Sequence, residues 1–359
     1  MTKKQEDRTI VLDNGKIAKA TFPVVVSASR STDIPAFYAD WFFERLKKGY
    51  SAWTNPFNGK KSYVAYEDTR FIVFWSKNPR PLLNHLDYLR ERGIGCYIQY
   101  TLNDYVEGGL ELGVVPKLKE RIETFKLLVD KLGLGAVVWR FDPLILTDKI
   151  DINILLRKIE YIGDQLRGYT EKLVFSFADI LSYRKVKSNL ERNHINYLDW
   201  TKEQMIEFAK KLVSLNKTKG WNYVLATCGE ATDLEGVEHN HCVDDRLIVR
   251  FGYKSKELMD FLGAEIINPI YDLFAESYPS TIPQGAIQLG NNQFAIIYKN
   301  NKDKGQRIAC GCMKSKDIGE YNTCPHLCEY CYANASKEVA IANWKRHQLN
   351  PNSETITGR

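Results

Sequence analysis

Six short runs of apolar, β-branched and aromatic residues recur along the chain, at residues 22–28, 71–75, 96–102, 137–141, 173–177 and 223–227. Each is apolar on both faces and closed by polar, Pro or Gly residues. That is the pattern of strands buried within a parallel sheet. Between them, apolar positions return at helical spacing. Residues 35–49 carry Phe37, Trp41, Phe42 and Leu46, residues 81–92 carry Leu82, Leu83, Leu86 and Leu89, and residues 115–132 carry Leu118, Ile122, Phe125 and Val129. Residues 152–166 and 202–215 follow the same rule. Strand–helix alternation repeated in this way predicts an α/β fold, a partial (β/α)6-type barrel of parallel strands joined by right-handed crossovers.

Polar residues gather just past these strands: Arg30 and Asp33, Lys77 and Asn78, Asn103 and Asp104, Arg140 and Asp142, Asp179, and Glu230. Each alone reads as a loop or cap residue. Together they mark a common site, because the C-terminal strand ends of β/α barrels converge on one. After Gly229 the rhythm changes, which predicts a barrel over residues 1–229 and a cysteine-rich segment over 230–359 packing on the barrel mouth. Within that segment, 255–262 and 335–347 read as helices, 285–299 as irregular strand or loop, and 351–359 as a frayed tail.

Composition narrows the picture modestly. Seven Trp and twenty Tyr argue against disorder. The net charge of +6 is compatible with anionic or nucleic-acid partners without requiring them, and the chain has no arginine-rich run or recognised nucleic-acid motif. Residues 1–8 are polar and lack a signal-peptide core, and no apolar run is long enough to span a bilayer. A cytoplasmic location is expected. There, eight cysteines read as thiolate ligands before disulfides.

The cysteines carry the chemistry. Cys96 lies inside an apolar strand and reads as a core residue. Cys324, Cys328 and Cys331 follow the spacing C-x3-C-x2-C, with Tyr330 directly before the last thiol. Three thiolates on one short loop leave one iron of a [4Fe–4S] cluster free to bind a small molecule. Structural zinc is the alternative, although zinc motifs usually come as paired units. Cys228, Cys242, Cys310 and Cys312 remain, enough for a second [4Fe–4S] cluster or an all-cysteine zinc site. His239 and His241 flank Cys242 as substitute ligands or exposed loop residues.

The three-cysteine motif resembles the signature of the radical S-adenosylmethionine superfamily, whose members fold as partial β/α barrels. Its cluster loop typically follows the first strand; here the motif comes after the whole barrel, which requires a permuted order or an arm reaching back. The whole chain resembles the bacterial proteins catalogued as domain of unknown function 1848. The strings that carry this are Ser27-Ala28-Ser29-Arg30-Ser31-Thr32-Asp33-Ile34-Pro35, Phe74-Trp75-Ser76-Lys77-Asn78-Pro79, Val138-Trp139-Arg140-Phe141-Asp142-Pro143, and Cys310-Gly311-Cys312 through Asp317-Ile318-Gly319 to Asn334.

The superfamily resemblance implies a [4Fe–4S] cluster on Cys324, Cys328 and Cys331 that chelates S-adenosylmethionine and cleaves it reductively to a 5′-deoxyadenosyl radical. It implies an electron donor such as flavodoxin or ferredoxin. Arg30, Lys77 or Arg140 would meet the methionine carboxylate. Glu111, in a loose match to the superfamily's Gly-Gly-Glu element, or Asp142 would accept from the amino group. Tyr330 would cover the cluster or a bound ligand, and Glu230 would bind ribose or act on substrate. The sequence identifies no substrate. Two other readings stand beside this one. The first is a zinc- or iron–sulfur-binding protein without radical chemistry, serving nucleic-acid binding or electron transfer. The second is a hydrolytic barrel using Asp142 and Glu230.

Overall fold

The computed structural model describes residues 8–55, 58–106, 108–111, 113, 116–267, 282–290, 293–307 and 309–359. The chain opens with β1 (Thr9–Val11), β2 (Ile17–Thr21) and β3 (Val25–Ala28). Then come α1 (Ile34–Phe37), α2 (Ala39–Lys48), β4 (Tyr50–Thr54), β5 (Lys61–Ala65) and β6 (Phe71–Ser76). A 3-10 turn at Arg80–Asn84 leads into α3 (Leu86–Glu91), β7 (Gly95–Thr101), α4 (Leu118–Leu132) and β8 (Val137–Leu144). The middle continues with β9 (Leu146–Thr147), α5 (Ile152–Gln165), β10 (Lys172–Phe177), α6 (Arg184–Arg192) and β11 (Tyr197–Leu198). Next are α7 (Lys202–Lys219), β12 (Val224–Thr227), β13 (Glu238–His239), α8 (Asp245–Gly252), α9 (Lys256–Leu262) and β14 (Ala264–Ile267). β15 (Ile287–Gln288), β16 (Phe294–Ile297), β17 (Lys316–Asp317) and α10 (Lys337–Leu349) close the chain.

Eight strands form one parallel sheet in the order β13-β12-β10-β8-β7-β6-β3-β17. Its six inner strands are the six apolar runs of the sequence. The 230–359 segment supplies both edges. Among the described residues β13 and β17 do not pair with each other, so the sheet is open and no closed barrel forms.

The helices begin where local chemistry starts them. A capping box joins Thr201 and Gln204 at the head of α7, and the Asp151 carboxylate accepts the Ile154 amide at the head of α5. The expected helix over 115–132 starts at Leu118; Val115 lies outside the described residues, as do 291–292 within the expected 285–299 stretch.

Strand alternation divides the sheet into two faces. Val26, Ile72, Phe74, Ile98, Tyr100, Trp139, Phe141 and Phe175 pack with side chains of α2, α3, α4, α5 and α7 in the main core. Val25, Phe71, Val73 and Tyr97 face the other way, onto α8, α9 and the small β14-β16-β15 sheet. The same parity carries Ser27, Trp75, Gln99 and Arg140 on this second face toward the C-terminal strand ends. One half of that face is thus an apolar floor and the other is polar.

A second sheet, β1-β2-β5-β4, was not expected from the sequence. Its strands are short, and β1 and β2 are mostly exposed, so they carry little periodic signal. The expectation of a frayed tail at 351–359 is corrected. Thr355, Ile356 and Thr357 are buried, Trp41 donates to the Ser353 carbonyl at 2.8 Å, and Lys61 binds both Glu354 and the Arg359 carbonyl.

Beneath this tail lies Glu320, whose carboxyl burial pushes up to about 7 from an ordinary 4.5. Folding therefore favours its neutral form. The resulting stability is full below pH 4.5, falls as pH rises toward 7, and is absent above. Glu320→Gln is expected to raise the melting temperature by several degrees at pH 8 and leave it nearly unchanged near pH 4.5, as followed by thermal denaturation.

Candidate functional site

The C-terminal segment returns to the first inner strand. Lys316 and Asp317 pair with Val26 and Ser27, extending the sheet by one edge. The Asp317 carboxylate then accepts four hydrogen bonds: from Ser27 Oγ at 3.0 Å, Ser29 Oγ at 2.9 Å, the Arg30 amide at 2.8 Å and the Gly319 amide at 3.0 Å. A Cβ on Gly319 would lie 1.8 Å from Ser29 Oγ, so this close approach requires glycine. Asn at 317 replaces one acceptor oxygen with donors that face other donors. Asp317→Asn is expected to cost about 2 kcal/mol of stability, measured by urea unfolding.

From this clasp the cysteine loop crosses three strand ends. Past β3, Tyr38 donates to the Thr323 carbonyl at 2.5 Å, and His326 Nε2 meets Asp33 Oδ2 at 2.8 Å in a buried pair. Past β6, the Lys77 amide donates to the same Asp33 oxygen at 2.7 Å. Past β7, the Gly113 amide donates to the His326 carbonyl, the Glu329 amide donates to the Leu110 carbonyl, and Glu111 bridges with Cys328. Asn334 Nδ2 donates to the Cys324 carbonyl at 2.8 Å, which closes the loop on itself.

Cys324, Cys328 and Cys331 are partly buried in this loop. Burial pushes all three thiols up, Cys328 to about 12, while the Lys77 ammonium acts in the opposite direction on Cys328 and Cys331. Among the described residues the three sulfurs are not gathered within 4.8 Å of one another. Tetrahedral zinc with bonds of about 2.3 Å would hold its sulfurs about 3.8 Å apart. Cubane ligands each take a different iron and stand farther apart. The donor set therefore fits a cluster better than a zinc ion.

Beside the thiols is a buried polar knot. Lys77 Nζ lies 2.6 Å from Glu111 Oε1 and donates to Asn103 Oδ1 at 2.6 Å. Tyr330 donates its hydroxyl to Glu111 and accepts from Asn103 Nδ2 at 3.3 Å. Burial raises the Glu111 carboxyl, but Lys77 and Arg121 outweigh it and hold the group below its ordinary value. Glu111 Oε2 is buried without a hydrogen-bond partner.

The three candidate cations differ in their freedom. Lys77 is engaged with Glu111 and Asn103. Arg140 pairs with Asp142 and donates to Gln99 Oε1 at 3.0 Å and to Cys242 Sγ at 3.2 Å. Arg30 lies 5.6 Å from the centre of the Trp75 ring, and its Nη2 is buried with no hydrogen-bond partner. Its amide and carbonyl are held by Asp317 and by the Tyr332 hydroxyl at 2.7 Å, so its backbone is fixed while its guanidinium stays available. Glu230 turns back on its own chain, accepting the Ala231 and Thr232 amides at 2.9 and 3.0 Å. Asp142 is committed to Arg140.

The other five cysteines fall in two places. Cys96 is buried in β7, where burial raises its thiol to about 12. Cys228, Cys242, Cys310 and Cys312 share the core cluster on the second sheet face. Sequence reasoning brought Arg30, Lys77, Glu111 and Tyr330 forward, and they surround the thiol loop. It missed the Asp317 clasp, the His326–Asp33 pair and the ring of Trp75, which both Arg30 and Arg140 approach. The Asp317-Ile318-Gly319 string was the available signal for the first.

Fold and site together define an α/β protein with an open parallel sheet, whose C-terminal arm lays a cysteine loop over the ends of the first three inner strands. The chain belongs to the family described as domain of unknown function (DUF1848), whose model matches residues 25–333. Neither the curated proteins nor the solved structures give a match. Among the described residues no helix is long and apolar enough to cross a membrane.

Proposed function

We propose that this chain is a radical S-adenosylmethionine enzyme. In this reading the parallel sheet is a partial (β/α)6-type barrel, and the C-terminal arm carries the catalytic cluster over its mouth. The observation that carries the reading is the placement of Cys324, Cys328 and Cys331 against the ends of β3, β6 and β7, with Glu111, whose Oε2 is unpartnered, bridged to Cys328. An arm that returns through β17 meets the requirement raised by the late position of the motif.

Cys324, Cys328 and Cys331 would hold a [4Fe–4S] cluster, which when bound supplies the electron that cleaves S-adenosylmethionine to methionine and a 5′-deoxyadenosyl radical. Arg30 meets the methionine carboxylate, for which a guanidinium is the better fork. Glu111 accepts from the amino group through Oε2, while Lys77 and Tyr330 fix its other oxygen. Arg140 and Asp142 act on the second cysteine group instead of on the cofactor. Glu230 is left with a structural role at its turn. A cytoplasmic reductant such as flavodoxin or ferredoxin serves as donor, and the substrate enters over the polar half of the second sheet face.

The test is anaerobic reconstitution with iron and sulfide, followed by S-adenosylmethionine and dithionite. Formation of 5′-deoxyadenosine and methionine in equal amounts is expected. A protein that takes up iron and sulfide yet cleaves no S-adenosylmethionine would support an electron carrier or sensor instead.

A further inference from the structure

Two of the remaining late cysteines are held sulfur to sulfur on the second sheet face. Cys228 follows β12 directly, and its amide donates to the Phe175 carbonyl at 3.0 Å. β13 runs beside β12 with His239 in register with Thr227, and the Asn240 amide donates to the Thr227 carbonyl at 2.8 Å. Two residues further on, Tyr97 and Gln99 of β7 donate to the Cys242 carbonyl at 2.8 and 2.9 Å. Both cysteines therefore stand on backbone fixed by the sheet, and their sulfurs lie 2.9 Å apart.

This spacing does not suit a metal centre. Cubane ligands each take a different iron and stand farther apart than this pair. A single ion needs more than two donors gathered around it, and among the described residues no three of these sulfurs lie within 4.8 Å of one another. A dithiol needs only two sulfurs in contact on backbones that need not move to join them.

The two sulfurs are not equivalent. Cys242 Sγ accepts from Arg140 Nη1 and from Asn240 Nδ2, each at 3.2 Å, so the proton between the sulfurs belongs to Cys228. Charge-assisted donors aimed at a sulfur favour its thiolate. Asp142 pairs with Arg140 and keeps it in place. Cys242 is buried, whereas Cys228 is partly exposed. Cys228 is thus the sulfur that a molecule from solution meets first, and Cys242 is the charged sulfur behind it. Cys312 Sγ accepts the amides of Cys242 and Val243 at 3.2 and 3.4 Å, which occupies it beside the pair.

We propose that Cys228 and Cys242 form a redox-active dithiol that reduces an exogenous disulfide. Cys228 passes its proton to Cys242, and the Cys228 thiolate attacks one sulfur of R–S–S–R. A mixed disulfide forms and RS⁻ leaves. Cys242 then attacks the Cys228 sulfur. The Cys228–Cys242 bond forms, and the second RS group leaves with the proton. Two electrons pass from the protein sulfurs to the exogenous disulfide, which ends as one thiol and one thiolate. No atom of the Cys324–Cys331 loop takes part, so this step stands apart from the radical reading.

The full chain carrying Cys324→Ala, Cys328→Ala and Cys331→Ala separates the pair from that loop, and either assignment can fail alone. The probe is oxidised glutathione, added anaerobically to the reduced protein, with alkylation and peptide mapping by mass spectrometry. The expected result is a Cys228–Cys242 linkage that dithiothreitol reverses, with about two equivalents of reduced glutathione released per chain. Adding Cys242→Ser is expected to trap glutathione on Cys228 at least tenfold above the level in its parent. The same Cys228–Cys242 linkage is expected in the wild-type chain, which tests the pair without relying on a variant that must fold. Cys228 and Cys242 both alkylated after the treatment would overturn the proposal. So would a bond from Cys312 to either sulfur in place of the linkage, or iron and acid-labile sulfide bound by the triple variant.

Discussion

The triple variant Cys324→Ala, Cys328→Ala, Cys331→Ala is expected to lose all S-adenosylmethionine cleavage and the brown colour of the catalytic cluster, while keeping the fold. The loss is complete because, among the described residues, the other thiols lie in the main core or with the cluster on the second sheet face. Retention of the fold follows from the way the loop is held. Its anchors are the Asp317 clasp, the Tyr38–Thr323 bond, the His326–Asp33 pair and the Asn334–Cys324 bond, none of which uses a sulfur. Truncating a thiol to a methyl removes little apolar area. Circular dichroism and urea unfolding check the fold, and high-performance liquid chromatography of 5′-deoxyadenosine checks the activity. Undiminished cleavage in the variant would remove the cluster assignment.

The second large effect is expected at Arg30. Its guanidinium combines a fixed backbone with an unpartnered buried nitrogen, while Lys77 and Arg140 are already engaged. A charge-assisted hydrogen bond to a carboxylate contributes about 1.5–3 kcal/mol. Arg30→Ala is therefore expected to weaken S-adenosylmethionine binding about 10- to 100-fold, with iron and sulfide content unchanged. Arg30→Lys keeps the charge and loses the fork, so it should recover part of the affinity. Isothermal titration under anaerobic conditions reads both. Equal affinity in wild type and Arg30→Ala would transfer the role to another cation.

The six inner strands were legible because each is buried on both faces and ends in a polar or Pro/Gly signal, as Val137 to Phe141 does before Asp142 and Pro143. The helices α2 to α5 and α7 were legible through strong apolar faces. α6 was not, because Val186 and Leu190 are its only buried apolar residues and its other positions are polar. The buried Thr355-Ile356-Thr357 tail reads as a loop because two of its three residues are threonine, and only the tertiary pocket makes them core.

The site divides in the same way. Cysteine spacing is local, so the thiol loop could be read from eight consecutive residues. What lies opposite the loop is not local. Asp317 meets Ser27, Ser29 and Arg30 across nearly the whole chain, and Glu111 meets Tyr330 across more than half of it. Linear order also left three candidates for the carboxylate-binding cation, with the guanidinium fork favouring the two arginines. Only the hydrogen bonds of Lys77 and Arg140 set Arg30 apart.

Electron paramagnetic resonance of the dithionite-reduced chain, recorded with and without S-adenosylmethionine, tests the proposed open iron most directly. A reduced [4Fe–4S] signal whose g values shift when the sulfonium compound is added is the predicted result. A cluster signal that ignores the addition, or an iron-free protein after reconstitution, would contradict it.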